Sequence, residues 1–443
     1  MERLVKWRMS ETNRISPVPW WQRPTIAVAA VMLVAFLLRA GLAMIHPMFF
    51  PDSRDYNALA HTILAGTTYE VRGLFASRLP GYPVYIAVFE YFFGPSPMAV
   101  LLSQAVCGSL TVLLVFLMGR RINKRVAIIA ALLAAVDPLS VAFSAALLSE
   151  IPFTLVLMFS LWLCMNIMEN PRPITPWVML GLSWGIATYL RGEAVLLIFP
   201  LIGWGGWMCI KNQAGHRLGI YLKMTLSLLL MIACLMPWWI RNYRIFGQDF
   251  FRMSTLQGIS LYEAVYPQAT GGPRQSDIRP PPSIKNLNES QRDLAWTRRA
   301  WRCVFADPLR IAWLAVIKIW RTWSPWLHAR HYRQWWINVP LMLWTIPQFA
   351  LALWGLLGTR HALIPAGILG IMLLTILYFT MMHALFIGSV RYRVELLPLV
   401  DLLAAAGLVR LVALCRLQGV PQPPAASPGA SHLRHQGRPM KRG

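Results

Sequence analysis

Acidic residues are scarce in this chain. Eighteen Asp and Glu stand against 42 Lys and Arg in 443 residues, and only 14% of the residues carry charge. That is too little charge for an ordinary soluble domain, where about a quarter is usual. The six cysteines, Cys107, Cys164, Cys209, Cys234, Cys303 and Cys415, are scattered without paired spacing. This indicates neither a disulfide framework nor a zinc site. A glycine-rich phosphate loop is missing, so no nucleotide-sugar site is expected. The apolar–polar alternation of a membrane barrel is absent, and so is an internal repeat. His46 and His61 have no metal-ligand spacing around them. No metal ligand is therefore assigned, and a divalent ion stays open as a cofactor.

What is abundant is apolar sequence, 56% of the chain, gathered in blocks of about 17–25 residues. Such a chain crosses a bilayer several times. With no water available to backbone amides there, the spans should be helices. About ten spans are expected, near 25–45, 98–118, 126–148, 152–168, 176–190, 194–210, 224–240, 338–358, 362–387 and 394–414. The basic start followed by a long apolar run reads as an uncleaved first span rather than a signal peptide. The formal charge of +24 does not point to nucleic acid, because the cations sit mostly between spans. Short-loop cations are Arg120, Arg121, Lys124 and Arg125, then Lys211, Arg217 and Lys223. With ten spans they share one side with both termini, which the positive-inside rule makes cytoplasmic. Trp20–Trp21, Trp238–Trp239 and Trp335–Trp336 flank spans, where indoles favour the interface.

The expected organisation follows. Residues 1–24 form a basic cytoplasmic N-terminus. Residues 25–240 form a transmembrane core with a first outer loop at 46–97. Residues 241–337 form a large outer loop, within which the Pro/Gly-rich stretch 270–290 should be mobile and "PLRIAWLAVIKIWRTWSPW" should lie on the membrane surface. Residues 338–415 return to the membrane, and 416–443 read as a disordered basic tail.

Against this background the ionisable groups near span ends stand out. Arg39 lies within the outer third of the first span. Asp137–Pro138 interrupts the third, and proline removes a backbone donor there. Glu150, Arg191 with Glu193, Arg241, Arg244, Arg391 and Arg393 all fall at outer ends. Charge at membrane depth costs about 3 kcal/mol on insertion scales, so such groups usually pair or face a cavity. A basic outer crevice suits an anionic ligand with a lipid tail, since guanidinium forks bind phosphate oxygens. Bland readings exist for each group. Asp52 and Asp55 have the spacing of a cap and its third helical residue ahead of "YNALAHTILA", with Gly66 as the stop. The arginines can snorkel to headgroups, and Asp137 can simply mark a helix break.

The motifs in order are "PDSRDYNALA", "SRLPGYPVYIAVFEYFFGPSP", "AAVDPLSVAFSAALLSE", "ATYLRGEAVLLIFP", "PWWIRNYRIFG" with "STLQGISLYEA", and "RYRVELLPLVDLLAAAGL". Together, over about 25–415, they resemble glycosyltransferase family 39, relatives of dolichyl-phosphate-mannose protein mannosyltransferases and of bacterial aminoarabinose lipid A transferases. The resemblance implies an all-α C-type glycosyltransferase bundle with outer-face juxtamembrane helices. It also implies a polyprenyl-phosphate sugar donor in an outward-facing cavity of a bacterial inner membrane, and an acidic first-loop residue as general base. The matching residue is Asp52. Asp55, one turn later, is the substitute, because Ser53 stands where family members often carry a second acid. Glu150 matches the acid of the family's "SE" motif. Arg191, Arg241 and Arg391 match outer-face arginines for donor phosphate and cavity structure. Arg39, Arg78, Arg393, Tyr56 and Tyr82 complete the candidate substrate-binding set.

The expected activity is inverting transfer of a sugar to a periplasmic protein, lipid or envelope glycan. A carboxylate takes the acceptor's proton, and cations offset charge on the departing phosphate. Two rivals use the same residues differently. A transporter or flippase for a lipid-linked or anionic solute predicts half-repeats and broken helices at mid-membrane. A scaffold protein of envelope synthesis leaves Asp52 without a task.

Overall fold

The computed structural model describes residues 24–212, 217–247, 251–329, 332–357 and 363–418. The basic N-terminus, Trp20–Trp21 and the tail beyond 418 lie outside these residues. The described residues are overwhelmingly helical, with only isolated bridges such as Met48 to Ala146 in place of a sheet. The first elements are α1 Pro24–Ile45, α2 Pro51–Leu64, α3 Gly81–Phe93, α4 Pro97–Arg120, α5 Lys124–Val136, α6 Pro138–Ser144, α7 Glu150–Glu169 and α8 Thr175–Leu190. A 3-10 helix Gly192–Leu196 leads into α9 Ile198–Asn212 and α10 Arg217–Phe246. Next come α11 Gln257–Val265, α12 Pro282–Lys285, α13 Glu289–Ala306 and α14 Pro308–Trp323. Finally α15 Trp335–Leu357 and α16 Ala366–Leu385 precede a 3-10 helix Val390–Leu396 and α17 Leu397–Gln418.

Local chemistry sets many of these boundaries. Proline opens α2, α4, α6 and α14, where its missing N–H has no helical partner to lose. Ser96, Asn123, Asn288 and Asp307 cap α4, α5, α13 and α14 through side-chain oxygens that accept first-turn N–H groups. Asp52 and Asp55 are not the cap and third residue of α2. Phe50 is the cap, and Ser53 Oγ accepts its N–H at 2.9 Å. The carboxylates are thereby left free to face elsewhere. Gly66, at φ +63°, follows the helix where only a residue without a side chain bends easily.

Eight described helices are long and apolar enough to cross a membrane, or nine if the bent pair α5–α6 is one span. The expected span at 176–190 is α8, only 16 residues long. It is clamped between α7 and α10, with Trp177 and Trp184 buried. The break at Asp137–Pro138 is real: α5 and α6 meet at 51°. Asp137 caps α6 by accepting from Ser140 N–H at 2.8 Å. α1, α5 and α7 pack on α4, and α17 packs on α5 and α15. In the large loop, α11 packs on α13. Stretch 270–290 holds α12 and the start of α13. The Glu289 carboxylate accepts from the N–H groups of Phe75 and Ala76, tying the two loops together. α14 shows an exposed stripe of Leu309, Trp313, Val316 and Trp320, the face expected of a helix lying on a membrane.

Loop contacts fix which helix ends lie together. Arg121, after α4, pairs with Glu169 at the end of α7 at 2.9 Å. Lys223 Nζ donates to the carbonyl oxygens of Pro171 and Arg172 at 2.9 and 2.6 Å. The basic turns therefore sit at one end of the bundle. Glu150 at the start of α7 and Arg191 at the end of α8 lie at the other.

Candidate active site

That second end holds a cavity of about 420 Å³. α2 supplies Asp52 and Tyr56, and the loop before α3 supplies Ser77 and Arg78. The α8 end and the following 3-10 helix supply Arg191 and Glu193, α16 supplies Tyr378 and His383, and the last 3-10 helix supplies Arg391 and Tyr392. Residues 253–260 close one side with Ser254, Gln257 and Ser260. Gly81 of the "PGYP" motif has a positional reason. It presses α3 against the backbone of Tyr189 and Leu190, beside Arg191, where a Cβ would collide.

Ion pairs run continuously around the wall. Arg78 Nη2 lies 2.6 Å from Asp52 Oδ1 and 3.3 Å from Asp55 Oδ2. Arg72 holds the other Asp55 oxygen at 2.8 Å. Arg391 Nη1 lies 2.8 Å from Asp52 Oδ2, although 339 residues separate the two. Its Nε donates to Glu150. Arg191 bridges Glu150 at 3.4 Å, Glu193 at 2.6 Å and Glu395 at 3.1 Å. Tyr392 is packed beneath the guanidiniums of Arg191 and Arg391 and stacks on His383. The Arg78 guanidinium lies over the Tyr56 ring.

Burial alone would raise the Asp52 carboxyl. The charges of Arg78 and Arg391, with their hydrogen bonds, outweigh it and hold the group at about 2. Asp52 is thus an anion at every physiological pH. Burial raises the Tyr56 phenol, which stays neutral.

Of the sequence-derived candidates, Asp52, Tyr56, Arg78, Arg191 and Arg391 line the cavity. Asp55 and Glu150 stand immediately behind, each salt-bridged to a lining arginine. Five residues that the sequence singled out lie elsewhere. Arg39 is buried in the bundle, donating to the carbonyls of Ala134 and Ala135 at 2.9 and 2.7 Å. It satisfies the C-terminal carbonyls that the Asp137–Pro138 break leaves without helical donors. Asp137 also faces the interior, accepting from Trp344 and Gln348 rather than opening to the cavity. Arg241 is stacked between Tyr69 and Trp238 and donates to the Tyr69 carbonyl. Arg393 is fully buried and donates to the Ser324 carbonyl. Tyr82 is buried, with its hydroxyl donating to Gln104 Oε1 at 2.6 Å, and reaches the site only through its ring contact with Tyr56.

Two further groups, His383 and Glu395, join Glu193, which the sequence had placed at an outer end without a role. Glu193, His383 and Glu395 form the one cluster of His and acidic donors among the described residues that could hold a metal ion. Glu395 had a signal: it is an acid at the start of an apolar span, four residues after Arg391. His383, a lone histidine in an apolar run, had none.

Residues 77–240 match the family model of dolichyl-phosphate-mannose-protein mannosyltransferases. No curated protein sequence matches the chain. Among solved structures, the oligosaccharyltransferase of Archaeoglobus fulgidus, tethered to an acceptor peptide containing the NVT sequon, superimposes with a TM-score of 0.50 at 13% identity. The alignment covers 90% of this chain and 51% of that one, so this chain spans about half the length of the archaeal enzyme. ArnT from Cupriavidus metallidurans bound to undecaprenyl phosphate aligns at 14% identity and a TM-score of 0.39, over 89% of this chain and 79% of that one. The chain shares its helical fold with the archaeal oligosaccharyltransferase, and its eight or nine long apolar helices among the described residues are those of a multi-pass membrane protein.

Proposed function

We propose that this protein transfers a sugar from a polyprenyl phosphate to an acceptor hydroxyl or amine at the cavity around Asp52. The observation that carries the reading is the carboxylate of Asp52 fixed between Arg78 and Arg391 at a cavity wall. A donor of this kind already has a competent leaving group, so two tasks remain for the protein. The acceptor oxygen or nitrogen attacks the anomeric carbon while Asp52 takes its proton. The bond from that carbon to the phosphate oxygen breaks, and Arg391, Arg191 and Arg78 receive the polyprenyl phosphate's growing charge. A single displacement inverts the anomeric centre.

The ion pairs also couple binding to basicity. A carboxylate held near 2 is a weak base. A donor phosphate that recruits Arg391 loosens it from Asp52 and raises the carboxylate's proton affinity as the acceptor arrives. Glu150 and Asp55 keep Arg391 and Arg78 in place. Ser77, Ser254, Gln257 and Ser260 offer hydroxyl and amide partners to an acceptor. Tyr378, Met382, Phe386 and Ile387 give an apolar flank for the donor's lipid.

The basic turns lie at the opposite end of the bundle, so the cavity opens on the non-cytoplasmic side. We place it at the outer face of a bacterial inner membrane, acting on an envelope glycan, lipid or protein. A reporter fused near residue 280 should therefore read as external. Mass spectrometry of envelope lipids, glycans and proteins should reveal one sugar-bearing product that disappears with the gene. A cytoplasmic reporter signal, or identical envelopes, would contradict the reading.

A further inference from the structure

We infer that Glu193, His383 and Glu395 form a site for one divalent transition-metal ion in the cavity wall. They come from three elements: the 3-10 helix after α8, the last turn of α16, and the final 3-10 helix. Their ligand atoms lie within 4.8 Å of one another. Small side-chain shifts bring them onto a common ion.

A second observation is independent of the clustering. His383 is 2% exposed, yet its Nε2 has no hydrogen-bond partner among the described residues. The fully buried Glu395 has Arg191 on Oε2 at 3.1 Å, and its Oε1 accepts no hydrogen bond among the described residues. A buried polar atom left in this state is costly, and a ligand that satisfies it is favoured. The imidazole is held in position by stacking on Tyr392 at 4.6 Å and on Phe379 at 6.2 Å between ring centroids. Its Nε2 sits 3.6 Å from Glu395 Oε1, too long for a shared proton to make a good hydrogen bond. An ion satisfies the nitrogen and both carboxylates at once. One imidazole with two carboxylates suits Mn²⁺ or Zn²⁺ better than a soft ion such as Cu⁺.

Charge gives the site a purpose, and this part rests on the proposed function. Five carboxylates, Asp52, Asp55, Glu150, Glu193 and Glu395, face four guanidiniums, those of Arg72, Arg78, Arg191 and Arg391. The acidic side chains outnumber the guanidiniums, which does not favour an anion. A divalent ion adds positive charge to this wall and takes Glu193 and Glu395 from Arg191, freeing that guanidinium for phosphate.

The test uses the full-length protein in detergent, stripped with chelator. Mn²⁺ alone is titrated in and followed by electron paramagnetic resonance, with Zn²⁺ as competitor. One saturable Mn²⁺ per chain, displaced by Zn²⁺, is expected. Glu193→Gln and Glu395→Gln should each weaken binding by at least about tenfold. Glu193 is partly exposed, so the first variant should keep the wild-type unfolding temperature. The inference is overturned if the wild-type chain binds neither ion saturably, or if both variants bind Mn²⁺ as wild type does. Undecaprenyl phosphate binding is measured separately. A missing metal leaves the donor reading standing, and missing donor binding leaves the metal site standing.

Discussion

Replacing Asp52 by Asn should lower turnover by about 10²–10⁴-fold, the usual contribution of a positioned general base. The amide matches the carboxylate in shape, and Arg78 and Arg391 keep other acidic partners in Asp55 and Glu150. The variant should therefore fold. It should also bind undecaprenyl phosphate at least as tightly as wild type, because a negative charge beside the phosphate has been removed. Loss of rate with retained or improved donor affinity is a combination that a structural role for Asp52 does not produce. The pH profile adds a sign check. The folded-state value of Asp52 is depressed to about 2 from an ordinary 3.8, so the group gains its proton only as pH falls through that lower range. For the free protein, kcat/KM should show no acid limb from Asp52 above about pH 3. A stable Asp52→Asn protein with unchanged product formation would remove Asp52 from the chemistry.

Replacing Arg391 by Met should have the second large effect, on stability as well as activity. Its Nε and Nη1 hold two carboxylates at once, and one of them, Glu150, is fully buried. Removing the cation leaves that charge with only the longer contact to Arg191, at 3.4 Å. Breaking a buried pair in this way costs about 3–5 kcal/mol, visible as a lower unfolding temperature in detergent. The double variant Arg391→Met/Glu150→Gln should recover most of the stability and none of the donor affinity. Lys at 391 should rescue poorly, because a point charge does not reproduce a fork that spans two acids. Wild-type stability together with wild-type donor binding in Arg391→Met would show that the pairing is incidental.

The sequence made the helical architecture legible because a bilayer leaves few alternatives: apolar runs of spanning length have to be helices. The break at Asp137–Pro138 was equally visible, since proline chemistry is local. The gathering of Asp52, Arg191 and Arg391 could be anticipated only through topology and family likeness. The contacts themselves link positions hundreds of residues apart. Arg39, Arg241 and Arg393 misled for a common physical reason. A charged residue in an apolar run demands a partner, but backbone carbonyls and aromatic faces meet that demand as well as a ligand does. Nothing local separates Arg39, which satisfies the end of α5, from Arg391, which faces the cavity. His383 was hidden for the converse reason. Its surroundings are apolar in sequence, and the acids beside it arrive from two other elements.

The central claim is that a polyprenyl phosphate lodges beside Asp52, and the most direct measurement is a structure of the protein in lipid nanodiscs with undecaprenyl phosphate. The phosphate should lie within hydrogen-bonding distance of Arg391 and of Arg191 or Arg78, with the lipid leaving past Tyr378 and Phe386. Phosphate bound at the end of the bundle that carries Arg121 and Lys223, or an empty cavity at saturating lipid, would contradict the account.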